Sequence, residues 1–311
     1  MNNHNYQTGR RALLKTIAGV GCSLLIKPGI LLATPRRLIE KTIPSSGEKL
    51  PVIGMGTSRT FDSSGNESQI QNLGKVLELF FEQGGKLIDS SPMYGSSEQV
   101  LGQLLKLIPT QKALFAATKV WTDGKASGIH QMGISKKLWS VTRFDLMQIH
   151  NLRDWQVHLE TLMEMKTEGK LRYIGITTSH GRDHDELYQV LEKYPIDFVQ
   201  LSYNIANPEA EYRLLPLAKE RGIAVIANRP FARGNLFKVT KGKALPDWTE
   251  AFDCHSWGQF FLKYVVSHPA ITCAIPATSK THHMVDNMGA GYGSLPDTET
   301  RQRMARHFKS L

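Results

Sequence analysis

The sequence predicts an α/β fold, a (β/α)8 TIM barrel with an N-terminal β-hairpin. Three observations predict it. Short apolar runs alternate with helix-period segments, the runs number eight, and together they fit in about 260 residues. Alternation on this scale argues for βαβ units and parallel strands, and eight units favour closure into a barrel. The alternative is a doubly wound open sheet, which would call for a G-x-G-x-x-G after an early strand. Gly54-Met55-Gly56 is only a lone pair of glycines and reads as a tight turn.

In chain order, apolar segments at 38–43 and 50–53 flank Pro44-Ser45-Ser46-Gly47, the pattern of a hairpin. Val52-Ile53 supplies the first barrel strand. The other seven fall at 87–88, 114–117, 146–149, 173–176, 198–201, 223–227 and 271–275. Between them, segments such as 70–82, 99–107, 155–168, 185–193, 209–221 and 257–267 repeat apolar residues at helical spacing. Residues 231–249 read as a long connection, of a length usually tied to function.

Composition bounds the function. With 41% hydrophobic and 21% charged residues, the 311-residue chain has the balance of a globular protein. Its formal charge is +10, but Arg10, Arg11, Lys15 and Lys27 lie in the first 33 residues, which hold no Asp or Glu. The remaining basic residues are dispersed, with no run of the kind that tracks nucleic acid, so a nucleic-acid partner is not expected. The charge is read as solubility plus a site for a cofactor phosphate. Cys254 and Cys273 are too few for a disulfide framework or a zinc site, leaving one bridge or two free thiols. No His/Asp cluster has metal-ligand spacing.

Residues 1–35 read as an address preceding a barrel domain at 36–311. Arg10-Arg11-Ala12-Leu13-Leu14-Lys15 opens a mildly apolar stretch with Ala18, Gly19 and Gly21, ending near Ala33-Thr34-Pro35. This resembles a twin-arginine export signal. The resemblance implies the twin-arginine export machinery as a partner and a periplasmic destination. The uncharged run at 16–26 is well short of the ~20 residues of a spanning helix, so no stable membrane span is expected after processing.

Several apolar runs stop at a polar residue: Asp89, Lys119, His150 and Gln200. In a barrel the C-terminal strand ends face one rim, where active sites lie, so these side chains converge. Each alone has a plainer reading, as a cap, a snorkelling lysine or a core histidine. Their occurrence at successive strand ends points to chemistry.

The segment Gly85-Lys86-Leu87-Ile88-Asp89-Ser90-Ser91-Pro92-Met93-Tyr94-Gly95, followed by Ser97-Glu98 and Leu101-Gly102, resembles the aldo-keto reductase signature. Ala117-Thr118-Lys119-Val120 and Asp145-Leu146-Met147-Gln148-Ile149-His150-Asn151 match the next two blocks in order. The resemblance implies reduction of a small-molecule carbonyl by hydride from a nicotinamide cofactor, NADP(H) rather than NAD(H). It assigns Tyr94 as general acid, Lys119 as its tuner, Asp89 as the lysine's partner and His150 as the carbonyl-orienting residue. Those residue types suit the reaction. Hydride arrival leaves negative charge on oxygen, which needs a proton donor, and a nearby ammonium eases proton loss from a tyrosine.

The same resemblance places cofactor contacts at Thr177, Thr178, Gln200, Arg229, Thr278, Ser279, Lys280, His283 and Asn287. Gln200 matches the carboxamide-binding glutamine, whereas Thr177-Thr178 replaces a Ser-Asn pair. Asn228-Arg229 stands where a tyrosine usually stacks under the nicotinamide, and Arg229 offers a cation to the pyrophosphate or to an acidic substrate. Lys280, with Thr278 and Ser279, suits the adenosine 2′-phosphate. His283 replaces an arginine there, and Asn287 meets the adenine. These departures keep one alternative open, a non-catalytic nucleotide-binding or regulatory protein on the same barrel.

Overall fold

The computed structural model describes residues 37–63, 65–108 and 114–311. The predicted export segment, 1–35, lies outside the described residues. Strands β1 (Glu40–Thr42) and β2 (Lys49–Pro51) pair antiparallel as the expected hairpin. Eight parallel strands follow, in sequence order around the sheet: β3 (Met55–Gly56), β4 (Leu87–Asp89), β5 (Phe115–Val120), β6 (Phe144–Ile149), β7 (Leu171–Thr177), β8 (Phe198–Ser202), β9 (Ala224–Asn228) and β10 (Ile271–Ala274). The ring closes between its first and last strands. Val52 O accepts from Ala274 N (2.9 Å), Gly54 N donates to Ala274 O (2.9 Å), and Gly56 N donates to Pro276 O (3.1 Å). The barrel is the predicted one.

The first strand is corrected in detail. Of the barrel strands, Val52-Ile53 pairs with β10 alone, and the ladder to β4 is carried by Met55 and Gly56. The glycines are needed at this seam, because a Cβ at Gly54 would come within 2.8 Å of Leu87 O.

Helices α1 (Glu67–Glu82), α2 (Ser97–Leu105), α4 (Trp155–Thr167), α5 (His184–Lys193) and α8 (Trp257–Val266) stand where the periodicity puts them, with α3 (Lys125–Trp139) between α2 and α4. Periodicity does not reveal α3. Its buried face, Gly128, Met132, Ser135 and Trp139, is half small residues, while Ile129, Ile134 and Leu138 lie exposed on the other side. The segment expected as one helix over 209–221 is a 3-10 turn followed by α6 (Leu214–Glu220), broken at Arg213 (φ −138°). The long connection contains α7 (Asn235–Val239), and α9 (Thr281–Gly289) and α10 (Thr298–Lys309) complete the chain.

Strand alternation divides the core in two. On β5, Ala116 and Val120 face the helices, whereas Phe115, Ala117 and Lys119 face the barrel interior. The floor of the interior is a cluster of three rings, Phe115, Tyr173 and Phe198, with centroids 5.5–6.0 Å apart. Ile43 and Leu50 of the hairpin join this cluster and are fully buried. Cys254 and Cys273 are buried free thiols.

Lys41 on β1 fastens the hairpin. Its ammonium donates to the carbonyls of Val266, His268 and Ile271 at 2.7, 2.8 and 2.7 Å. Two of these carbonyls lie at the C-terminal end of α8, where the helix dipole favours a cation. Lys41→Met keeps the stem and deletes all three bonds. It is expected to cost about 2–3 kcal/mol in urea unfolding, the scale of charge-assisted bonds to partly buried carbonyls. A cost below about 0.5 kcal/mol would show that water replaces the ammonium.

Candidate active site

The polar side chains of the barrel interior gather at the C-terminal ends of the strands, above the apolar floor. Asp89 closes β4 and is 2% exposed, and Lys119 on β5 is fully buried. Their separation is 2.5 Å from Nζ to Oδ2, and Lys119 also donates to Ser90 O at 2.8 Å. The other carboxylate oxygen, Oδ1, accepts from Gln148 Nε2 on β6 and from Gln200 Nε2 on β8, both at 2.9 Å. Gln200 Nε2 also donates to Gln148 Oε1 at 3.0 Å. Every oxygen of the buried carboxylate is thus satisfied, as burial requires. Gly175 on β7 makes room for this layer, since a Cβ there would lie 3.0 Å from both Gln148 Cγ and Phe198 O.

Tyr94 follows β4 on a turn and packs edge-on against His150, with ring centroids 5.7 Å apart and planes at 89°. Lys119 Nζ lies 5.3 Å from the centre of the tyrosine ring. Burial pushes the Tyr94 phenol above its usual value, Lys119 and Arg229 pull it down, Asp89 pushes it up, and the net shift is upward. Tyr94 therefore holds its proton at neutral pH. Burial pulls the Lys119 ammonium down, but the charge of Asp89 and the bonds it makes outweigh that, and Lys119 is shifted up and stays charged.

His150 is 4% exposed and is pulled down to about 3, first by burial and then by the Lys119 charge. Its Nδ1 lies 2.9 Å from Ser91 Oγ, and the same hydroxyl accepts from Met93 N at 3.2 Å. Trp121, half-buried, stands 6.4 Å from His150, with the Arg153 guanidinium 5.0 Å above its own ring. Glu98, from the signature segment, faces away from this site. It accepts from Thr118 Oγ1 (2.5 Å), Ser135 Oγ (2.8 Å) and Trp139 Nε1 (3.0 Å), tying α2 to β5 and α3, and burial raises its pKa.

A cleft of about 1260 Å³ opens over these residues. Asp89, Tyr94, His150, Thr177, Thr178 and Gln200 line it at the barrel mouth. Arg229, Thr278, His283 and Asn287 also line it. Lys119 lies beneath the wall. Ser279 and Lys280 stand exposed beside the cleft and do not line it. The Thr278 hydroxyl accepts from Lys280 N (3.1 Å) at the start of α9, and Ser279 O accepts from Asn72 Nδ2 (2.6 Å). Of the threonine pair, Thr177 Oγ1 accepts from Asn151 N at 3.0 Å, whereas Thr178 Oγ1 is buried without a partner. Asn151 Oδ1, also in the cleft wall, is likewise buried and unpartnered.

Three contributors escape a reading of strand ends alone. Gln148 shares the inward face of β6 with Leu146, two residues before His150, and that spacing is the signal that would have found it. Ser91 and Asn151 sit on loops, where periodicity gives no direction. Asn228 was noted only as a departure, yet it donates to Thr178 O (3.0 Å) and accepts from Ser202 Oγ (2.7 Å), bracing the ends of β7, β8 and β9.

An eight-stranded barrel with its cleft at the C-terminal rim carries its site where barrel enzymes carry theirs. The chain belongs to the aldo/keto reductase family, whose model matches residues 52–304, and is an oxidoreductase of that family. It is similar to methylglyoxal reductase YeaE of Escherichia coli, 26% identical over 257 residues spanning 80% of this chain and 88% of that one. It is also similar to L-galactose dehydrogenase of Arabidopsis thaliana, 25% identical over 285 residues, 80% and 87% of the two chains. In fold it resembles an aldo/keto reductase of Klebsiella pneumoniae solved with NADP and acetate, with a TM-score of 0.71, 24% identity and coverage of 87% and 96%. An aldo-keto reductase of Bacillus halodurans superposes with a TM-score of 0.72 at 20% identity, covering 88% of this chain and 96% of that one.

Proposed function

We propose that the protein reduces an aldehyde or ketone to an alcohol with NADP(H), taking the proton from Tyr94. The observation that carries this reading is the buried Asp89–Lys119 pair beneath a protonated tyrosine and a neutral histidine, all at the floor of one cleft. The cleft fits a dinucleotide. Its volume lies above the usual range for small-molecule sites, and its barrel end holds two unpartnered buried polar atoms. A nicotinamide carboxamide has one acceptor and one donor to match the Thr178 hydroxyl and Asn151 Oδ1. Gln200 has already committed its amide protons to Asp89 and Gln148. At the other end, Thr278, His283 and Asn287 would face the adenosine portion, with Lys280 beside them as a cation for a 2′-phosphate.

The bound cofactor supplies hydride to the carbonyl carbon. The chain's own residues handle the oxygen. Ser91 donates to His150 Nδ1, which leaves Nε2–H as a neutral donor that orients the carbonyl. Tyr94 delivers its proton as negative charge develops, and Lys119, held by Asp89, stabilises the phenolate left behind. Because His150 titrates near 3, its imidazole resonances are expected to stay fixed from about pH 5 to pH 8 in NMR titration. A titration near 6.5 would mean that the ring is solvated and charged in the working range.

The experiment that tests the function is NADPH oxidation by the purified protein against a panel of aldehydes and ketones, repeated with NADH. Turnover with a lower Michaelis constant for NADPH supports the reading. Binding of NADPH with no turnover of any carbonyl would move the nucleotide-sensing alternative ahead. We further propose export through the twin-arginine machinery to the periplasm, on the strength of the Arg10-Arg11 segment. Among the described residues, no helix is long and apolar enough to cross a membrane.

A further inference from the structure

The turn that carries Tyr94 runs from Asp89, at the end of β4, to Ser96, at the start of α2. The loop after β3 grips this turn at both ends. At the near end, Thr57 is fully buried. Its amide donates to Asp89 O at 3.1 Å, and its hydroxyl lies 3.0 Å from the same carbonyl and 2.8 Å from Ser90 Oγ. At the far end stands Asp62, whose Oδ1 accepts from Ser96 N at 2.9 Å and from Ser96 Oγ at 2.8 Å. Between the two anchors the loop is tied down by Phe61, which is fully buried in the core and donates its amide to Thr57 O at 3.2 Å.

The far anchor is built for close approach. A Cβ on Gly95 would lie 2.4 Å from Asp62 Oδ1, so the residue after Tyr94 has to be glycine, and its φ of +59° is one that glycine adopts freely. The Ser96 side chain makes no cap bond to its own helix and donates to Asp62 instead. The Ser96 amide, and after it the hydroxyl, hold the Asp62 carboxyl below the usual carboxylate range. A negative charge at the start of α2 also suits the helix dipole. Asp62, Tyr94 and Gly95 all line the cleft, so the anchor stands in the wall beside the proton donor.

We propose that Asp62 is a positioning residue for the reaction: by pinning Ser96 against Gly95 it fixes where the Tyr94 phenol stands. The proposal rests on the reductase reading above. Proton transfer requires the donor within hydrogen-bond reach, and a misplacement of about 1 Å can cost about 100-fold. Tyr94 has two backbone restraints of its own, Tyr94 N to Ser91 O (3.0 Å) and Ser97 N to Tyr94 O (3.1 Å). These hold the shape of the turn, whereas Asp62 ties the turn to a neighbouring loop.

The test uses the full chain with Asp62→Ala, which deletes the acceptor, and Asp62→Asn, which keeps an oxygen for both Ser96 donors. With NADPH and the best aldehyde of the panel, Asp62→Ala is expected to lower kcat about 10- to 100-fold while the KM values change less than about threefold. Asp62→Asn is expected to restore most of kcat. A second readout needs no turnover: the NMR signal of Tyr94 in protein isotope-labelled at the tyrosine Cζ, assigned by its loss in Tyr94→Phe. It is expected to move in Asp62→Ala and to return in Asp62→Asn. An unmoved Tyr94 signal in Asp62→Ala overturns the proposal, and so does an undiminished kcat. Equal impairment of the two variants overturns it as well, since the effect would then belong to the charge. If the wild type turns over no carbonyl, a signal that moves with Asp62→Ala and returns with Asp62→Asn keeps the anchor and rejects the reductase reading. A signal that stays in place rejects the anchor too.

Discussion

Tyr94→Phe is expected to lower kcat for carbonyl reduction by about 100- to 10,000-fold, the usual contribution of a positioned general acid. The substitution is a clean probe because the packing of this side chain is made by its ring. The edge-on contact with His150 and the approach of Lys119 to the ring both survive loss of the hydroxyl. The NADPH dissociation constant, read from fluorescence quenching, should change by less than about threefold, under 1 kcal/mol. A tyrosine that merely packs would leave kcat intact, and full retained turnover would end its assignment as the proton donor. The upward net shift of the phenol adds a sign to the pH profile. The donor form persists through neutrality, and reduction should slow only as pH rises past the ordinary tyrosine range.

The second large effect is on stability. Lys119→Met leaves the Asp89 carboxylate buried with two amide donors and no counter-charge, and is expected to cost about 3–5 kcal/mol in urea unfolding. Adding Asp89→Asn removes the stranded charge, so the double variant should recover much of that loss. Activity should not return with it, because the tyrosine has lost its ammonium. If the single and double variants unfold at the same denaturant concentration, the pair is not coupled and the burial argument fails.

The sequence showed the barrel because its period is strong. Eight apolar runs, buried on both faces apart from the half-buried Leu114, cannot be mistaken for solvated loops. Helix α3 was hidden because its apolar residues lie on both sides, so no moment forms. The first strand was displaced by three residues because Val52-Ile53 bridges to β10, while the ladder to β4 is carried by Met55-Gly56. The strand-end residues Asp89, Lys119, His150 and Gln200 were legible as a group, since alternation and direction place them on one rim. Their partners were not. Which atom of Gln200 meets Asp89, and that Ser91 reaches His150, depend on side-chain geometry across strands far apart in sequence. Arg229 was seen as a cation with two possible uses. Only its left-handed backbone (φ +52°) and the lack of a carboxylate partner among the described residues distinguish it from an ordinary ion-paired arginine.

Asp89 ties β4 to β6 and β8 through two glutamines and to β5 through the lysine, so four of the eight strands meet at one carboxylate. None of these four side chains can change alone without stranding a buried polar group in another. The Arg229 and Arg233 guanidinium groups make no such bonds among the described residues, and both line the cleft. Descendants of this chain would thus explore new substrates by rewriting that rim while inheriting the hub unaltered, and a laboratory selection for altered specificity should draw its winners from the same place.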